Sequence, residues 1–292
     1  MEITAAMVKE LREKTGAGMM DCKKALAECN GDITASIDWL REKGIAKSAK
    51  KESRIAAEGL ANIYIKDNKA VILEVNSETD FVSKNEEFTG MIDTIGLSIL
   101  DSDVKDLENA LKVNTKEGTI EDLIIAKTAK IGEKLSLRRI EVVEKRNDEV
   151  FGSYLHMGGK IAVLTVLKGA TEDVAKEVAM QAAAMRPSYV FINDIPQSVL
   201  DNERKIQKEL AVSEGKPEDI AEKMVEGRIK KYYKEVCLSE QPFIKDGDIS
   251  VSEYVKKNNG EIIKMIRYEV GEGMEKRSEN FAEEVMNQVK GN

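Results

Sequence analysis

The chain has 292 residues, about twice the usual length of one domain, so two or three compact units with a sizeable core are expected. Its 34% charged and 42% hydrophobic residues describe a globular protein, and the net charge of −8, from 53 acidic and 45 basic side chains, argues against a dense basic face built to grip nucleic acid. Three cysteines without Cys-x-x-Cys spacing suggest neither a disulfide framework nor a thiolate zinc site. No leader sequence and no apolar run of about 18 residues is visible, so the expected location is the reducing cytoplasm, with no membrane partner.

The first 45 residues read as three short amphipathic helices. Thr4 caps one that carries Val8 and Leu11, and Thr15-Gly-Ala-Gly18 ends it. A second starts near Met19, groups Cys22, Ala25, Leu26 and Cys29, and stops at Asn30-Gly31. Asp32 caps a third with Ile33, Ile37 and Leu40 on one face. Residues 45–57 lack an apolar stripe and read as a charged linker, whose Lys47, Lys50, Lys51 and Arg54 are too few to neutralise many phosphates.

The period then shifts to strands. Residues 60–65 and 71–75 form a predicted hairpin about residues 66–69, followed by helices near 84–100 and 119–130 and a strand at 135–143. The order recurs with a hairpin from 152–156 and 161–167 about Met157-Gly-Gly159, a helix at 172–185 and a strand near Ile262. Tyr64-Ile-Lys-Asp-Asn-Lys-Ala-Val71 parallels Tyr154-Leu-His-Met-Gly-Gly-Lys-Ile161, and Arg139-Ile-Glu-Val142 parallels Arg267-Tyr-Glu-Val270, which suggests two related halves. Inserted at 198–236 is a highly charged pair of helices, broken at Gly215 and Pro217, with a thin seam of Val199, Ile206, Leu210, Ile220 and Met224.

The fold class is therefore α+β: an N-terminal three-helix module, two core halves with small antiparallel sheets, and a protruding antiparallel helical hairpin. The expected boundaries are 1–54 for the module and basic linker, 55–146 for the first half, 147–277 for the second half with the hairpin, and 278–292 for a C-terminal helix.

A search for chemistry finds no catalytic constellation. The single histidine, His156, cannot support a catalytic triad of the serine-protease kind or a multi-histidine metal site within one chain. Gly16-x-Gly18 continues to Asp21 where a dinucleotide fingerprint needs glycine, and Gly158-Gly-Lys160 leads to Ile161 and a strand where a phosphate loop needs a hydroxyl and a helix. No cofactor, metal or bound nucleotide is expected. What stands out is Asn76-Ser-Glu-Thr-Asp-Phe-Val-Ser-Lys-Asn85, between a buried-looking strand and a helix. Thr79 or Asp80 is placed to cap that helix, while Phe81 either staples helix to sheet or stands ready to enter a partner's pocket.

Thr15-Gly-Ala-Gly-Met-Met-Asp-Cys-Lys-Lys-Ala-Leu26 resembles the signature of bacterial elongation factor Ts, the nucleotide-exchange factor of the GTPase elongation factor Tu. Four further segments agree in order: Glu78-Thr-Asp-Phe-Val82, Lys130-Ile-Gly-Glu133, Glu214-Gly-Lys-Pro-Glu-Asp-Ile-Ala-Glu-Lys-Met-Val-Glu-Gly-Arg228 and Glu269-Val-Gly-Glu-Gly273. The resemblance implies that the N-terminal module is similar to ubiquitin-associated domains. It also implies that the chain binds elongation factor Tu in its GDP-bound and nucleotide-free forms without catalysis of its own. By the same resemblance Thr79, Asp80, Phe81 and Val82 dislodge Mg²⁺, with Phe81 intruding between helices of the GTPase and therefore exposed in the free protein. Val8, Met19, Met20, Ile131, Gly132 and His156 are implied as further contacts. Some family members oligomerise through the hairpin, which leaves a homo-oligomer open here.

Overall fold

A computed structural model describes residues 3–275 except Lys216, and the helix expected at 278–292 lies outside the described residues. The architecture is mixed α+β with small antiparallel sheets. Two compact units are present among the described residues, one of residues 3–64, 73–142 and 269–275, the other of residues 65–72 and 143–268. Among the described residues no helix is long and apolar enough to cross a membrane.

The first unit opens with helices α1 (Ala5–Thr15), α2 (Met19–Glu28) and α3 (Ile33–Ala49). Their caps follow from short polar side chains that reach free backbone N–H groups: Thr4 Oγ1 accepts from Met7, and Asp32 Oδ1 from Ala35 at 3.0 Å. Leu11, Cys22, Ala25 and Leu26 are fully buried among Val8, Ile33, Ile37, Trp39 and Leu40. Helix α3 does not stop where a linker is expected. It continues to Ala49 because a later helix, α6 (Ile120–Ile131), supports it. A Cβ added to Gly44 would lie 3.6 Å from Ala129 Cβ, and Arg41 pairs with Asp122 at 2.7 Å. Only residues 50–57 are non-helical before the first strand.

Strands β1 (Glu58–Lys66) and β2 (Lys69–Ser77) form the predicted hairpin, and β5 (Ser136–Glu144) joins β2 to complete a sheet in the order β1-β2-β5. Between them lie α4 (Glu86–Leu100), the short α5 (Leu107–Leu111) and a ladder of β3 (Asn114–Thr115) with β4 (Gly118–Thr119), followed by α6. The last three short elements have no counterpart in the sequence expectations, since two to five residues carry no readable period. Thr119 and Asp122 exchange hydrogen bonds in a capping box that starts α6, and the left-handed Gly132 (φ 90°) ends it.

In the second unit β6 (Glu149–His156) pairs antiparallel with β7 (Ile161–Lys168), and β10 (Glu261–Glu269) joins β7 to give the order β10-β7-β6. Helix α7 (Glu172–Met185) covers it, burying Val174, Ala175, Val178, Ala179 and Ala182 against Ile161, Val163 and Leu167. Helices α8 (Gln197–Ser213) and α9 (Glu218–Val236) pack antiparallel, as the ion pairs Arg204–Glu226, Lys208–Glu222 and Arg228–Glu214 require. Their seam differs from the predicted one. Ala211, Ala221, Val225 and Ile229 are buried, whereas of the predicted seam Val199, Ile206, Leu210 and Ile220 are exposed and Met224 is half-buried. Ala221, Val225 and Ile229 recur every four residues and so form one ridge of α9, which packs with Ala211 of α8, while the ion pairs cross beside this seam. The ladder of β8 (Pro242–Phe243) with β9 (Asp246–Ser250) and the short α10 (Val251–Lys257) complete the unit.

Candidate functional site

At the end of β2 the chain leaves the sheet through Glu78 and Thr79, and a single 3₁₀ turn over Val82–Lys84 precedes α4. The cap of α4 is Asn85, whose Oδ1 accepts from the Glu87 N–H at 2.8 Å. Neither Thr79 nor Asp80 caps that helix. The 3₁₀ turn interposes several residues between them and the free N–H groups, so the expectation fails on distance along the chain.

Each of the four predicted side chains has a separate fate. Thr79 gives its hydroxyl to Glu133 Oε1 at 2.7 Å and its N–H to Glu133 Oε2 at 3.0 Å. Asp80 uses its carbonyl to accept from the Ser83 N–H and hydroxyl, which tightens the turn, and its exposed carboxylate makes no hydrogen bond among the described residues. Val82 is buried and anchors the turn. Phe81, between them, is 82% exposed. The alternative of Phe81 as a core staple is thereby removed: the aromatic ring stands in solvent on a turn held from both sides.

The other predicted contacts are placed as follows. Ile131 and Gly132 end α6 directly before Glu133, half-buried and exposed respectively. The turn between α1 and α2 lies beside the same helix end, since a Cβ on Gly16 would be 3.1 Å from Lys130 Nζ. Met19 and Met20, in the first turn of α2, are 61% and 76% exposed. Val8 packs against the three-helix core as a half-buried residue. His156, which belongs to the second unit, ends β6 as an exposed side chain with its Nδ1 3.4 Å from Tyr154 Oη, followed by the exposed Met157 at φ 50°.

Residues without a predicted role complete the first-unit site. Glu78 accepts from the Lys134 N–H at 2.6 Å and from Arg54 at 3.1 Å; Lys51 donates to the Gly132 carbonyl, and Lys134 to the Glu52 carbonyl. Lys51 and Arg54, read from sequence as a solvated tether, are thus engaged with the loop's supports. Glu133 stands in the motif Lys130-Ile-Gly-Glu133, but nothing in the sequence relates it to a residue 54 positions earlier. Among the described residues no group of three or more His, Cys, Asp or Glu side chains is arranged to hold a metal ion.

A sequence model described as elongation factor Ts matches residues 78–272, about two-thirds of the chain. The chain belongs to the elongation factor Ts family. Membership in that family places it in translation elongation and implies binding to elongation factor Tu. The span matched by elongation factor Ts begins at Glu78 and so takes in the Phe81 loop, the end of α6 with Glu133, and His156; the three-helix module precedes it.

Proposed function

We propose that this chain is a guanine nucleotide exchange factor that binds GDP-loaded elongation factor Tu in the cytoplasm, displaces the elements holding Mg²⁺ and so releases GDP. The observation that carries this reading is Phe81, a large aromatic side chain kept 82% exposed on a braced turn at a helix start. An exposed ring of this kind is what a protein pocket rewards, because aromatics dominate the energy of buried interface positions.

The mechanism is linkage. A factor that binds the nucleotide-free GTPase more tightly than the GDP form weakens GDP binding by the same ratio. Mg²⁺ bridges phosphate and protein oxygens, so shifting the protein groups around it lowers nucleotide affinity without a covalent step. Phe81 acts as the wedge, and the neighbouring Asp80 carboxylate offers a charged acceptor to partner groups freed by that movement. Met19, Met20, Ile131, Gly132 and His156 extend the contact, with Val8 acting through the packing beneath α1. GTP binding then reverses the association.

Release of a fluorescent GDP from elongation factor Tu, followed with intact chain and with Phe81→Ala, tests the reading. Burial of the ring contributes about 2 kcal/mol, roughly a 30-fold loss of acceleration in the variant. Equal acceleration by both proteins removes Phe81 from the mechanism, and no acceleration by the intact chain removes the function. Chelation of Mg²⁺ should narrow the difference between the two proteins, since the wedge then has less to displace.

A further inference from the structure

Two glutamates that are not themselves among the predicted contacts hold the Phe81 loop in place by a reciprocal arrangement. Glu133, just beyond α6, reaches back to Thr79 with both carboxylate oxygens, one on the N–H and one on the hydroxyl. Glu78, adjacent to Thr79, reaches forward to the N–H of Lys134, adjacent to Glu133. Each segment therefore supplies the carboxylate that satisfies a backbone donor of the other, across 54 to 56 positions of sequence. The Glu78 side chain is only 11% exposed, and its charge is met by Arg54 at 3.1 Å. Lys134 closes the set by pairing with Glu52 at 3.3 Å, and Lys51 holds the Gly132 carbonyl. Ser77 Oγ donates to the Thr79 carbonyl at 2.9 Å, so the peptide groups on both sides of Thr79 are fixed two residues before the exposed ring.

We propose that Glu133 and Glu78 are positioning residues for exchange, a crossed pair of carboxylates that orders the Phe81 loop before the partner arrives. This rests on the exchange reading above. Hydrogen bonds to a carboxylate are charge-assisted, and an N–H and a hydroxyl of one residue bonded to the two oxygens of Glu133 fix direction as well as distance. A loop already ordered spends little of its binding energy on losing conformational freedom, so more of the ring's burial is left to drive the change in the GTPase. The basic residues 51, 54 and 134 belong to the same device: they hold the carboxylates and carbonyls of the brace and so couple the segment after α3 to the exchange loop.

A double-mutant cycle in the fluorescent GDP assay tests the proposal, with maximal rate and half-saturating concentration read separately. Glu133→Ala alone should lower the maximal rate of GDP release roughly tenfold, the cost of ordering a loop during binding. In the Phe81→Ala background the same change should alter the rate less than about twofold, because the loop then has no ring to position. Equal losses in both backgrounds overturn the proposal, as does a Glu133→Ala rate equal to that of the intact chain while Phe81→Ala remains slow. Failure of the intact chain to accelerate release defeats the exchange reading instead, so the two failures are distinguishable. Should Glu133→Ala lower the thermal midpoint, Glu133→Gln carries the same cycle. It keeps the shape and one acceptor oxygen, and it should give a smaller loss that again vanishes without Phe81.

Discussion

The two three-stranded sheets share a plan and differ in what fills it. In both, a hairpin is followed by helices and a later strand returns beside the hairpin's second strand, giving β1-β2-β5 and β10-β7-β6. Both central strands are buried along nearly their whole length. Yet β2 buries Glu74, Asn76 and Ser77, whereas β7 buries aliphatic residues and Thr165. Each sheet also brings a helix close through a glycine, from opposite sides of the contact. Gly96 on helix α4 makes room for the Tyr64 ring of β1, while Gly152 on strand β6 makes room for the backbone of α7 at Ala175. Thr165 donates to the Ala175 carbonyl at 2.8 Å, so the approach in the second sheet is fixed by hydrogen bonding as well. A common topology thus tolerates an ionic interior in one sheet and an aliphatic one in the other. The Glu74 carboxylate is met by Gly271, Arg138, Asn76 and Arg139, while Asn76 Oδ1 is buried without a partner among the described residues.

Glu74 offers the strongest way to break the comparison. Fully buried, it accepts from the Gly271 N–H and Arg138 at 2.9 Å each, Asn76 at 3.0 Å and Arg139. Burial opposes its ionisation, but the bonds from Gly271, Arg138 and Asn76 and the charge of Arg139 prevail, and its carboxyl is held below the ordinary glutamate value. Glu74→Ala should cost on the order of 3 kcal/mol at pH 7 in denaturant unfolding, because the surrounding donors lose this acceptor. A folded value below the unfolded one means the stabilisation is complete above roughly pH 4.3 and is lost as pH falls through the folded value. The advantage of the intact chain over Glu74→Ala should therefore shrink in acid.

Gly152→Ala comes next, at about 2 kcal/mol, since the new Cβ would stand 2.1 Å from the Ala175 carbonyl carbon and only a backbone shift can relieve it. Gly96→Ala meets a side chain, with 2.0 Å to the Tyr64 ring, and should cost nearer 1 kcal/mol. The ring can turn at the expense of the 2.7 Å bond from its hydroxyl to Asp93. Equal midpoints for these two variants in thermal unfolding would erase the distinction between backbone and side-chain partners. The smallest effect belongs to Glu87, whose bonds to Lys127 and Lys130 lower its value to about 2. This half-exposed group is screened by water, so Glu87→Gln should change stability at pH 7 by about 0.5 kcal/mol or less. That contribution is present above the ordinary glutamate value and disappears as pH approaches about 2.

Much of this was legible in the sequence because the relevant forces act over a few residues. Thr4 and Asp32 cap the helices they precede, the two hairpins fall where alternating apolar runs meet polar turns, and residues 79–82 are marked by an aromatic set among polar neighbours. Tertiary structure decided the rest. Helix α3 extends to Ala49 because Ala129 of α6 meets the space at Gly44; Asn85 takes the cap of α4 because a 3₁₀ turn intervenes. Phe81 stays in water because Val82 and the Thr79–Glu133 bonds fix the turn around it. Caps and periodicity lie within one element and can be read from it. The partner of a carboxylate 54 positions away exists only once the chain has folded.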